Sequence, residues 1–129
     1  MDKKQKSKIF KEAADIINDN GWCKKHYAIS KNNTGVDPLS ENACSFCVIG
    51  SLTKAISNIN TKNKIDNKPL FSEEQMDNNL WHCLKDFRDS LGIIENDDRT
   101  NGHIIADWND YRAESKSVVV EKLINLSIL

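Results

Sequence analysis

Gly21-Trp22-Cys23-Lys24-Lys25-His26, followed after seventeen residues by Cys44-Ser45-Phe46-Cys47, decides how the rest of the chain is read. The first segment carries a C-x-x-H half-site and the second a C-x-x-C half-site. Two donors separated by two residues bind one ion when a tight turn aims both side chains the same way, and two such pairs complete a tetrahedral structural zinc site. The expectation is a structural Zn2+ held by Cys23, His26, Cys44 and Cys47, stapling a loop or short hairpin between the first two helices. The competing reading is chance spacing of reduced thiols in a core. Four cysteines in a reducing compartment fit ligands or buried thiols better than disulfides.

Working outward, Ile9, Phe10, Ala13, Ile16 and Ile17 recur at helical spacing over residues 7–20, and Gly21 follows as a C-cap. His26 to Ser30 alternates like a short strand, Lys31 to Gly35 reads as a turn, and Val36 to Leu39 returns as a partner or a loop. A second helix is expected from Cys44 to Ile59. Gly50 sits inside its apolar stripe at a cost of about 1 kcal/mol relative to Ala, which close packing of another backbone would offset. Asn60 to Pro69 is a polar connector, expected to be the most mobile part.

Ser72-Glu73-Glu74-Gln75 is a capping box that starts a third helix, running to about Leu91 before Gly92. Glu95 to Gly102 reads as a hydrophilic loop, Ile104, Ile105 and Trp108 as a helical turn, and Ser115 as the N-cap of a last helix. The expected fold is one mainly α domain over residues 1–129, with α+β possible and about four helices.

The chain has 129 residues, 39% hydrophobic and 29% charged, enough for a single core. No apolar run approaches the roughly 18 residues of a membrane span, and Met1 to Lys8 lacks the apolar region of a secretory signal, so a cytoplasmic protein is expected. Net charge is -1, yet residues 1–68 carry twelve Lys against seven acids and residues 69–129 six Lys or Arg against twelve acids. Such asymmetry marks either two solvated surfaces or a charged docking face. Lys3, Lys4, Lys6 and Lys8, with Lys62, Lys64 and Lys68, lack interleaved aromatics, and direct nucleic-acid binding is not expected from them.

Gly21-Trp22, Cys47-Val48-Ile49-Gly50-Ser51-Leu52 and Trp108-Asn109-Asp110 together resemble a family of small phage and bacterial proteins known only as a domain of unknown function. Its pattern is similar to G-W, C-x-x-G-A-[LI] and W-N-D, in that order, and the resemblance covers about Ile9 to Leu126. Ser51 departs from it, where the family has Ala. Cys44 and the C-x-x-H half-site lie outside it, so the metal site would be a local addition. The resemblance implies a fold and a phage-like origin, and no reaction.

Two further readings concern chemistry. Cys47 at a helix N-terminus would have a lowered thiol pKa, and with His82 or His103 as base and Asn109 or Asp110 as orienter it would form a Cys-His-Asn hydrolase site. A thiolate locked on zinc is no nucleophile, and a four-ligand zinc has no open position for catalysis. Cys83 reads as core, and Asn109 and Asp110 equally as turn-satisfying side chains beside a core Trp108. The expected function is therefore binding without catalysis. A small phage-like protein of this kind is similar to the inhibitors phages carry against host defence, notably anti-CRISPR proteins acting on Cas9-type nucleases. Glu95, Asp97, Asp98, Asp107 and Asp110 are the residues expected to compete for a basic nucleic-acid channel. A zinc-containing nucleic-acid-binding regulator is the other alternative.

Overall fold

Helix α1 spans Lys3–Asp19 in a computed structural model that describes residues 1–92 and 98–129. It starts earlier than the apolar spacing suggests because Asp2 is an N-cap, its carboxylate accepting from Lys4 N at 2.7 Å. Ile9, Phe10, Ala13, Ile16 and Ile17 all lie in the core, as their spacing predicts.

Three two-residue strands follow, β1 (Ala28–Ile29), β2 (Gly35–Val36) and β3 (Ser45–Phe46), in the order β2-β1-β3. Both pairings are antiparallel, and Ala28 stands opposite Val36 on one side and Phe46 on the other. The outer edge of β3 is covered by the G-W segment: Trp22 and Phe46 form a parallel bridge, with Phe46 N–H donating to Gly21 O at 3.0 Å and Cys23 N–H to Phe46 O at 3.1 Å.

Helix α2 is Val48–Lys62, so the expected start at Cys44 is corrected. Residues 45 and 46 satisfy their backbone groups across the sheet, and the chain turns into helix only at Cys47, whose sulfur caps Gly50 N at 3.3 Å. The other end of α2 corrects the connector. Asn60 is a buried helical residue whose Oδ1 accepts from Phe71 N at 2.6 Å, tying the chain after the loop back to the helix before it.

Helix α3 (Glu73–Ser90) opens on the expected capping box, with Ser72 and Gln75 bonded reciprocally, and Gly92 at φ +69° follows its end. Helix α4 (Asn101–Asp107) is capped by Thr100 and runs into a π-helical turn, Trp108–Arg112, closed by Ala113 N–H donating to Trp108 O at 2.8 Å. Helix α5 (Lys116–Ser127) is capped by Ser115 and lies along α1, burying Val119 and Leu123. The described residues thus hold five α-helices and one small sheet, and none of their helices is long and apolar enough to cross a membrane.

Candidate functional site

The three short motifs of the sequence meet at one amide. Asn109, 1% exposed, enters from the first residues of the π turn. Its Oδ1 accepts from Trp22 Nε1 at 2.9 Å and from Val48 N at 3.1 Å. Its Nδ2 donates to Cys23 O at 3.0 Å and to Asp110 Oδ1 at 3.0 Å. One side chain therefore clasps the G-W segment, the start of α2 and its own turn. Asp110 extends the clasp by accepting from Lys25 N at 2.8 Å, where Lys25 holds a left-handed backbone at φ 68°. A buried amide with all its capacity used fixes geometry far better than apolar contact does, because each bond is directional.

Gly50 completes the corner. A Cβ built there would lie 1.9 Å from Tyr27 O, so no other residue allows α2 to approach β1 this closely. The close backbone packing inferred from the sequence is thus provided by Tyr27.

Beside this clasp lies an open cleft of about 810 Å³. Its walls include His26, Tyr27, Asp37, Cys47, Ile105 and Asp110. Tyr27 is 59% exposed, and Tyr111, 70% exposed, stands with its ring 5.5 Å from the Lys25 ammonium. The cleft is thus an apolar trough with aromatic and charged groups around it, the composition of a binding surface.

The four expected zinc donors are not brought together. C-S-F-C is an extended strand here and not a turn, and an odd separation along a strand sends Cys44 and Cys47 to opposite faces. Cys44 is exposed, its thiol directed at Asn42 O at 3.5 Å, whereas Cys47 is buried. Cys23 is buried, its thiol at 3.5 Å from His26 O, and His26 is exposed with its ring over Gly35. Among the described residues no group of three or more His, Cys, Asp or Glu side chains is gathered so as to hold a metal ion.

The hydrolase arrangement loses its premise. Burial pushes the Cys47 thiol up to about 11, outweighing the N–H groups of Gly50 and Ile49 that favour the thiolate, and the Asp110 carboxylate adds to the rise. Cys23 is pushed up to about 12 by burial, then by the charges of Cys47 and Asp110. Neither His82, on α3 edge-on to Trp81, nor the exposed His103 lines the cleft. His26 does, a residue the sequence marks only as a metal donor.

Of the acids expected at a docking face, Glu95 and Asp97 lie outside the described residues. Asp98 is exposed, Asp107 is paired with Arg99, and Asp110 is committed to Lys25 N and Asn109. The described acids do not form one free face. Cys83, on α3, is fully buried as a core residue, and Trp108 packs edge-on against Phe87 at 5.4 Å.

Residues 1–124 match the family of unknown function DUF6197. The chain belongs to that family. No curated protein and no solved structure matches it. Within this DUF6197 chain, the sequence marked Asn109 as a turn residue or an orienter, and missed that Trp22, Cys23 and Val48, its partners, lie between 61 and 87 residues away. The available signal was the position of Asn109 directly after Trp108, an aromatic anchor, in the W-N-D motif.

Proposed function

We propose that the protein is a non-enzymatic binding domain that acts by occupying a partner's surface, with the cleft beside the Asn109 clasp as its contact face. The observation that supports this reading is the state of the reactive groups around the cleft. The Cys47 thiol is raised to about 11, the Asn109 amide is fully hydrogen-bonded, and Asp110 Oδ1 is held by Lys25 N and Asn109 Nδ2. What the cleft offers outward is shape, the exposed Tyr27 and the charged neighbours Lys25 and Asp37. Tyrosine at the edge of a preformed trough is a common anchor in protein recognition.

The proposed partner class is a host defence nuclease of the Cas9 type, in keeping with the small, phage-like character of the sequence. Contact through the cleft is favoured over contact through the acids, since Asp107 and Asp110 are already partnered. The test is co-purification with a panel of such nucleases together with a cleavage assay. The wild type should associate and reduce cleavage, and Tyr27→Ala should lose both effects while Asp98→Asn keeps them. No association with any nuclease would remove this reading.

Zinc at Cys23, His26, Cys44 and Cys47 is proposed on spacing alone. Binding one ion through both Cys44 and Cys47 requires β3 to leave β1, giving up the bonds that pair Ser45 and Phe46 with Ile29 and Ala28. Elemental analysis of protein purified without added metal decides it, with about one zinc per chain expected for the staple and none without it.

A further inference from the structure

Cys23 and Cys47 stand next to each other on neighbouring segments of backbone. The parallel bridge between Trp22 and Phe46 fixes the register, so that one position further on Cys23 lies beside Cys47 on the same face. Adjacent strands run about 4.8 Å apart. A disulfide spans Cα separations of about 4.4 to 6.8 Å. Both thiols are free and each is 6% exposed. The charge effect of Cys47 on Cys23 agrees with close sulfurs. Cys44 lies on the other face of the strand, and Cys83 is held in the interior by α3.

We propose that Cys23 and Cys47 form a reversible intramolecular disulfide when a small disulfide oxidant reaches them through the cleft, fastening Gly21–Cys23 to the start of α2. This inference is independent of what the cleft binds, and it is an alternative to the zinc staple, which needs both sulfurs as thiolates. Cys47 lines the cleft and is the sulfur met first. Its thiolate, having released a proton, attacks one sulfur of oxidised glutathione, and one glutathione thiolate leaves and is protonated. Cys23 then loses its proton and attacks the Cys47 sulfur of the mixed disulfide, expelling the second glutathione. Two protein thiols are oxidised and one glutathione disulfide is reduced to two thiols. The product joins the two segments that Asn109 also clasps, so oxidation reinforces the same corner by a covalent bond.

The test uses the native full-length chain incubated with oxidised glutathione, then intact mass and peptide mapping without reductant. The expected result is loss of two hydrogens, a peptide pair joining Cys23 to Cys47, and a melting temperature several degrees higher that returns to its starting value with dithiothreitol. Cys44→Ser should leave the link intact, and Cys47→Ser should abolish it. Four free thiols after prolonged oxidation, a link through Cys44 or Cys83, or glutathione left on Cys47 without closure would each overturn the proposal. Because the wild type carries the decisive readout, poor folding of a variant does not blunt it.

Discussion

The helical body and the clasped corner of this molecule are held by different physics. In the body, α1, α2, α3 and α5 meet through residues such as Phe10, Ile17, Leu52, Phe87 and Leu123, which are buried and apolar. Their contribution is broad and forgiving, because burial scales with area and neighbouring side chains share any loss. The corner from Gly21 to Gly50 has three short strands and owes its shape to Asn109, Asp110 and one glycine. Directed bonds of this kind fail all at once. The contrast teaches that a small change in the corner should be felt more than a larger one in the body.

The strongest attempt to break that contrast is Asn109→Ala together with Gly50→Ala, made singly. Removing the amide leaves Trp22 Nε1, Val48 N and Cys23 O without their partner, at about 1 to 3 kcal/mol for each buried group. Adding a methyl at Gly50 drives it into Tyr27 O and should cost about 3 kcal/mol or more. Chemical denaturation should find each variant less stable than Leu123→Ala in the body, and a loss smaller than that of Leu123→Ala would erase the distinction. Leu123→Ala in the body should cost about 3 kcal/mol.

Alkaline titration sharpens the comparison next. The folded-state pKa values of Cys23 and Cys47 in the corner and Cys83 in the body are raised to about 12, about 11 and about 12 from 9.0, chiefly by burial. A raised pKa means the folded state holds its proton more tightly, so this stability is complete below about pH 9 and is lost as pH rises towards 11 and 12. Melting temperature against pH should fall across that window, and Cys83→Ala should lessen the slope. A flat profile would mean the thiols are not buried. The smallest effect is expected at the Lys6–Asp86 pair, 2.7 Å apart and partly exposed, where Asp86→Asn should cost under about 1 kcal/mol.

Legibility follows the same divide. Helical periodicity and the Ser72 capping box announced the body, because amphipathic spacing and capping are local properties of sequence. The corner was located, but its strand pairing was not read. C-S-F-C has the spacing of a metal turn and equally of a two-residue strand, and only its hydrogen bonds to Ala28 and Ile29 distinguish them. Asn109 was visible as a turn former, yet its bonds to Trp22 and Val48 depend on how remote segments pack. The thiol of Cys47 illustrates competing effects: its helix-capping position was legible, and the burial that outweighs it was not.

Amide hydrogen exchange on Asn109→Ala, read by mass spectrometry beside the wild type in the presence of a chelator, tests the central claim most directly. The clasp predicts that residues 21–30 and 44–50 lose protection while α1 and α5 keep theirs. Unchanged protection in those two stretches would contradict it.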